Sequence, residues 1–287
     1  MQQKKYGLFT AIAMIVGIVI GSGIFFKSDN ILLFTDGNVF LGVVVFCIAA
    51  TAIVFGSLTI SELASRTDRP GGLIAYAEEF CSPRVACAFG WFQALATIPS
   101  LAAVVAWVGG FYTFTLFGVE STLFQQVLLG AGYIILFFLL NLLSAKLGGY
   151  FQNASTVIKM IPLILFAIVG MVYGDPKVFT SSVSMEAMGS AGWIAAIGPV
   201  AFAFDGWVVS TSISHEIKDA KRNLPIALVC APLCILAAYI LYFVGLSNLL
   251  GPELIMSMGD AHVDYAANQI FGAVGAKIIL IFIIISV

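Results

Sequence analysis

The sequence predicts an all-α polytopic membrane protein, and three observations carry that prediction. Of its 287 residues 61% are hydrophobic and only 10% charged, with a mean hydropathy of +1.05; a soluble domain carries about a quarter charged residues. The uncharged runs, such as the 23 residues from Val39 to Ser61 and the 33 from Val85 to Phe117, suit transmembrane helices of roughly 20 residues rather than barrel strands of about 10. Short charged turns separate these runs into eight apolar segments.

The first span, about Leu8 to Phe26, follows Lys4 and Lys5 and is read as a retained helix, since no small-residue cleavage signature precedes the next span. Its centre, Gly17 to Phe25, reads Gly-Ile-Val-Ile-Gly-Ser-Gly-Ile-Phe. Gly17, Gly21 and Gly23 lower helix propensity, and Ser22 prefers a cap to a helix interior. One reading is a break, with one half-helix ending near Gly21 and another starting just after Ser22. The other is an intact helix, because Gly17 and Gly21 also form a small-xxx-small packing motif. A short loop with Lys27, Asp29 and Asp36 follows. Span two, Val39 to Ser61, ends in Glu62, Arg66, Asp68 and Arg69 around Pro70-Gly71, and an amphipathic piece with Tyr76, Glu78 and Glu79 comes next. Span three, Val85 to Phe117, is long enough to require tilt.

Span four runs from Ser121 to Ala145 and span five from Tyr150 to Tyr173, with Lys159 inside it. Span six starts near Ser190, is interrupted at Phe204-Asp205-Gly206-Trp207, and ends at His215-Glu216. Span seven covers Leu224 to Leu250; an acidic loop with Glu253, Asp260 and Asp264 then leads to an eighth segment reaching Val287. His215 and His262 lie near span ends without ligand spacing and read as surface residues. The cysteines, Cys47, Cys81, Cys87, Cys230 and Cys234, are odd in number and lack CxxC spacing. They read as small apolar packing residues, with no disulfide framework, metal site or cofactor. No basic patch suggests nucleic acid.

Counting Lys and Arg near span ends gives nine on the side of the N-terminus (Lys4, Lys5, Arg66, Arg69, Arg84, Lys146, Lys218, Lys221, Arg222) against three opposite (Lys27, Lys177, Lys277). The positive-inside rule therefore predicts a cytoplasmic N-terminus.

Spans one and six enter from opposite sides in this topology, each irregular near its middle and five spans apart. This is the pattern of two inverted repeats with a substrate between discontinuous helices. Free N–H groups near Gly23 and Ile24 suit a carboxylate, and carbonyls near Val19-Ile20 and Phe202-Phe204 suit an ammonium. Together they predict an α-amino acid as ligand. Asp205 reads either as the N-cap of the second half of span six or as a direct substrate contact. Lys159 reads as a fixed or titratable cation inside the bundle, since a charge at helix centre is costly and conspicuous.

These residues resemble the amino acid–polyamine–organocation superfamily, most closely its L-type amino acid transporter branch in bacterial form. The motifs are Gly-Ser-Gly-Ile-Phe at Gly21 to Phe25, Glu62-Leu63-Ala64 with Pro70-Gly71-Gly72 and Tyr76, Lys159, Phe202 to Trp207, and Glu216 with Lys221 to Pro225. The resemblance implies a LeuT-like five-plus-five inverted-repeat fold with discontinuous helices 1 and 6, and amino-acid exchange or uptake at the cell membrane by alternating access. Residues 1–287 then form one transporter domain, with 1–175 the first five-helix repeat and 176–287 part of the second. It further implies substrate contacts from Val19, Ile20, Gly21, Ser22, Gly23, Ile24, Phe202, Phe204 and Asp205, with Phe202 as a gate. Lys159, with Ser286, would stand where sodium-dependent relatives hold a cation, so transport is expected to be sodium-independent and the substrate a neutral L-amino acid. The loop from Phe117 to Thr122 lacks the cysteine through which animal members bind a heavy subunit, so none is expected. The resemblance also implies a chain truncated in helix 8, at Ser286-Val287, and unable to transport alone. A pore-forming or non-transporting subunit, or an inactive fragment of a transporter, is the alternative. An intramembrane enzyme is disfavoured, because only Asp205 and Lys159 lie at membrane depth.

Overall fold

The computed structural model describes residues 6–21, 23–25, 27–67, 69, 71–143, 145–181, 192–208, 211 and 217–287. All regular elements among them are helical. Lys4, Lys5, Ser22, Asp68, Pro70, Glu186, Ser190, His215, Glu216 and the Lys146 side chain lie outside the described residues.

In chain order the elements are α1 (Leu8–Val19), α2 (Ser28–Phe34), α3 (Val39–Arg66), α4 (Gly72–Phe80), α5 (Pro83–Phe117), α6 (Leu123–Leu143), α7 (Ala145–Tyr173) and α8 (Lys177–Ser181). They continue with α9 (Ile197–Ala203), α10 (Ala220–Leu250), α11 (Pro252–Met258) and α12 (His262–Ser286). Single 3-10 turns, Gly192–Ala196 and Gly259–Ala261, lead into α9 and α12. Among the described residues, six helical stretches are long and apolar enough to cross a membrane: Val39–Arg66, Pro83–Phe117, Leu123–Leu143, Ala154–Tyr173, Ala220–Leu250 and Pro252–Ser286. Two shorter apolar helices, Leu8–Val19 and Gly192–Ala203, are the leading parts of spans one and six. The protein is a multi-pass membrane protein.

Local chemistry explains several boundaries. Asn38 Oδ1 accepts from the Leu41 N–H at 2.9 Å and starts α3. Ser82, followed by Pro83, accepts from the Val85 N–H at 3.3 Å and starts α5. A reciprocal cap between Thr122 and Gln125 starts α6: Gln125 Oε1 accepts from the Thr122 N–H at 2.9 Å, and Thr122 Oγ1 from the Gln125 N–H at 3.4 Å. Within α5 a π-turn at Gln93–Thr97 precedes Pro99, which has no N–H to give the regular ladder. The length of span three is thus taken up partly by a wider turn.

The chain divides into two compact units whose borders cut spans rather than loops. The first comprises residues up to Val19, Cys47–Ser100 and Phe204–Ala237. In it Tyr6 forms a parallel bridge with Ile217, closed by the Lys218 N–H donating to the Tyr6 carbonyl at 2.8 Å. Thr67 Oγ1 donates to Glu79 Oε2 at 2.5 Å, tying the turn after α3 to α4. Trp207 packs against Gly56, where a Cβ would lie 3.7 Å from the indole.

The second unit comprises Ile20–Phe46, Leu101–Ala203 and Ala238–Val287. Its packing rests on small residues that let backbones touch, the usual route to helix association in lipid. A Cβ on Gly170 of α7 would run into the Gly245 carbonyl of α10, and one on Gly130 of α6 would lie 2.6 Å from the Ala106 carbonyl of α5. Aromatic edges fill the remaining space: Tyr242 meets Phe25 at 5.5 Å and Phe166 at 6.1 Å between ring centroids, and Phe46 meets Phe243 at 5.4 Å. Across α5 and α6, Trp107 Nε1 donates to Gln126 Oε1 at 2.9 Å. The rest of α6 faces outward, with Gly130 its one buried residue, as suits a lipid-facing helix.

Three expectations are corrected here. The acidic loop after span seven is α11 and a 3-10 turn, and this compact segment packs against α2. His262, read as a surface residue, is consequently fully buried under it, with Nδ1 at 2.5 Å from the Gly259 carbonyl. The cysteines are free, but Cys47, Cys81, Cys87 and Cys234 are exposed and Cys230 only half-buried. A small, weakly polar thiol is tolerated on an apolar exterior as readily as inside. A further irregularity, unforeseen, is a kink within α12 at Gly272, whose φ of 68° suits glycine.

Candidate functional site

The first span is interrupted where the glycines lie. α1 ends at Val19, the chain turns through Gly23–Phe25, and α2 begins at Ser28. Val19, Ile20, Gly23, Ile24 and Phe25 are buried, Gly21 is half-buried, and Ser22 lies outside the described residues. Helix resumes five residues beyond Gly23 rather than directly after Ser22. Asp29 places a carboxylate in the first turn of α2, whereas Gly23 must pass hard against another segment.

That segment is the end of α9. A Cβ added to Gly23 would sit 3.0 Å from the Ala203 Cα, so the two interruptions approach each other backbone to backbone. Beyond Ala203 the chain turns through Phe204–Gly206; Phe204 is buried, Asp205 exposed, and Gly206 adopts φ of 104°. Within the first unit, a Cβ on Gly206 would lie 2.9 Å from Ile18 Cγ2, so that glycine is required by both conformation and space.

The carbonyl at the end of α9 is not left bare. Tyr239 of α10, fully buried, donates its hydroxyl to the Ala203 carbonyl at 2.8 Å. One lone pair of an acceptor expected to face an ammonium is thus already engaged. Phe202 is half-buried, with Lys27 Nζ 6.0 Å from its ring centroid, the outer limit of a cation–π contact.

Lys159 is buried at 3% exposure in α7. Its helix packs on α12, where Ser286 Oγ is buried without a hydrogen-bond partner. The fold brings the helices of Lys159 and Ser286 together, as it does the backbones at Gly23 and Ala203. The sequence reading missed Tyr239 and Lys27. The signal for Tyr239 was available, since a phenol inside an apolar span must find a partner, but nothing local names that partner.

Chemically, this arrangement offers backbone polar groups at two helix interruptions and an aromatic ring beside them, with a lysine buried in α7. Among the described residues, no cluster of three or more His, Cys, Asp or Glu is placed to hold a metal ion.

The chain is 29% identical to the Serine/threonine exchanger SteT of Bacillus subtilis (strain 168) over 287 residues, covering 99% of this chain and 64% of that protein. It is 29% identical to the b(0,+)-type amino acid transporter 1 of Mus musculus over 272 residues, covering 90% of this chain and 54% of the relative. It is 22% identical to the Cystine/glutamate transporter of Homo sapiens over 269 residues, covering 92% and 54%. The chain therefore spans between about half and two-thirds of the length of the curated relatives it matches. A family model described as Amino acid permease matches residues 6–287, both helix interruptions and the buried lysine included, and the chain belongs to that family.

Proposed function

We propose that this chain carries the recognition site of a secondary amino-acid transporter that moves neutral L-amino acids across the cell membrane by alternating access, independently of sodium. The observation that carries the reading is the approach of Gly23 to Ala203, which leaves backbone rather than side chains at the meeting of two interrupted helices. Backbone N–H groups at Gly21, Ser22, Gly23 and Ile24 receive the carboxylate, and carbonyls of Val19, Ile20, Phe202, Phe204 and Asp205 receive the ammonium. A site of this kind recognises the zwitterion common to α-amino acids, and Phe202 sets the room for the side chain. Lys159, with Ser286, takes the place of a coupling cation between α7 and α12 and so removes the need for sodium.

A five-plus-five inverted repeat, a cytoplasmic N-terminus and the absence of a heavy subunit or nucleic-acid partner belong to the same reading. The Lys and Arg bias, nine against three, supports the orientation. A relative named for exchange of serine and threonine supports small neutral substrates.

The test uses the purified 287-residue chain in lipid nanodiscs, with equilibrium binding of radiolabelled serine competed by alanine, leucine, arginine and glutamate, in sodium and in choline buffer. Saturable binding displaced best by neutral amino acids, with equal affinity in both buffers, is expected. Preference for arginine or glutamate overturns the substrate class, a sodium requirement overturns the role of Lys159, and absence of saturable binding removes the recognition site from this chain.

A further inference from the structure

The second unit holds a buried polar cluster that the amino-acid site does not use. α2 packs against α11 and against the 3-10 turn Gly259–Ala261, and His262 lies beneath this clasp with no exposed surface. A carbonyl only accepts, so the 2.5 Å contact with Gly259 places a proton on Nδ1. Nε2 is then a bare lone pair, buried and without a hydrogen-bond partner; the Phe25 carbonyl is the next polar group on the ring.

The charged and titratable groups around His262 come from each element packed there. α2 contributes Asp29, 5% exposed, which takes a hydrogen bond from Asn30 Nδ2 at 2.9 Å, and Lys27 precedes it. The 3-10 turn contributes Asp260, which feels the charges of Asp29 and Lys27; α12 contributes Asp264. From α5, Tyr112 lies within electrostatic reach of Asp29, Asp260, Asp264 and Tyr242, and its hydroxyl is fully buried without a partner. Gly259 closes the cluster: a Cβ there would lie 4.0 Å from Asp29 Oδ2.

We propose that His262 is a proton-binding site that holds α2 against α11 while neutral and releases this clasp when protonated. The neutral ring is satisfied on one side and packed on the other. Protonation adds a charge and a donor to a ring shut away from water, with the Gly259 and Phe25 carbonyls and Asp29 as its polar surroundings, and burying a charge is far costlier than burying a neutral polar group. Asp29 offsets part of that cost but already serves Asn30. The remaining cost is relieved by opening the clasp, which brings the ring to water. The cluster adjoins the first interruption through Phe25 but uses neither Lys159 nor the contact between Gly23 and Ala203.

The test needs no amino-acid ligand, so its outcome is independent of the transport reading. Hydrogen–deuterium exchange of the 287-residue chain in nanodiscs is followed between pH 7.5 and 5.5, corrected for the intrinsic pH dependence of exchange. Exchange in Ser28–Phe34 and Pro252–Met258 is expected to rise on acidification by up to about tenfold per pH unit, the ceiling for one linked proton. In parallel, one of the two 13Cε1-histidine resonances is expected to titrate over the same interval. His262→Gln should abolish the acid-dependent rise, and Asp29→Asn should enlarge it by removing the compensating charge. An acid response unchanged in His262→Gln assigns it to the carboxylates and overturns the proposal. Should that variant fail to fold, a parent chain in which neither histidine titrates with the opening, or an Asp29→Asn response smaller than the parent's, overturns it equally.

Discussion

Tyr239 shows how one hydroxyl can finish a broken helix. Its bond to the Ala203 carbonyl, 2.8 Å long and fully buried, occupies an acceptor that the end of α9 leaves free. Tyr239→Phe keeps the ring and strands that carbonyl, at a cost of about 1–3 kcal/mol for a buried unsatisfied group. A lower melting temperature and weaker serine binding are expected, whereas an unchanged melting temperature would show that water replaces the hydroxyl. Gly23 makes a second residue-scale prediction. Gly23→Val places branched carbons where even a Cβ stands 3.0 Å from the Ala203 Cα. It should reduce serine binding at least about tenfold, equivalent to 1.4 kcal/mol; binding equal to that of the parent would separate the helix interruptions from recognition.

At the scale of elements, glycines decide which helices touch. Gly170 on α7 and Gly245 on α10 bring two backbones together, and Gly110 and Gly130 do the same for α5 and α6. Gly132, also on α6, has nothing within 4 Å of a Cβ position. Gly170→Ala is therefore expected to push α7 from α10 and lower the melting temperature. Gly132→Ala is expected to be neutral or to stabilise by up to about 1 kcal/mol, through helix propensity alone. Melting curves of the two variants side by side check this, and equal losses would show that propensity rather than packing governs both. The same contrast explains why α6, with few buried side chains, reads as the helix most open to lipid.

For the whole molecule, the buried lysine is the feature that composition makes most improbable. Lys159 is one of few charges inside the spans, and it lies at 3% exposure in a chain whose charged residues total 10%. Under the proposed function, Lys159→Ala should lower serine binding about tenfold or more while insertion and expression persist, because the remaining helix is apolar. Lys159→Arg should not restore it, since a planar guanidinium does not fill the place of a compact ammonium. Binding assays in nanodiscs, with expression level as the control, read both variants.

Much of this molecule was legible in the order of its residues. Long uncharged runs determined the spans, because lipid accepts only helices with all backbone bonds made internally. Gly17 to Gly23 and Phe204 to Gly206 marked the interruptions, because glycine clusters and short polar residues disfavour helix wherever they occur. Lys159 stood out because a charge within a span demands an explanation. Where helix resumes after the first interruption was not legible: Gly23–Phe25 and Lys27 stay out of helix although Ile24 and Phe25 are apolar and span-like. Nor were the partners of Tyr239, Lys27 and His262. A hydroxyl's need for an acceptor is a local property, but the identity of that acceptor, 36 residues away at Ala203, depends on how α10 packs against α9. His262 carries the same lesson most sharply, since an acidic stretch that reads as a loop folds into a helix and turn against α2, and the histidine that follows it is buried. Tertiary structure decided these points because burial and pairing are properties of the enclosure, which no window of neighbouring residues contains.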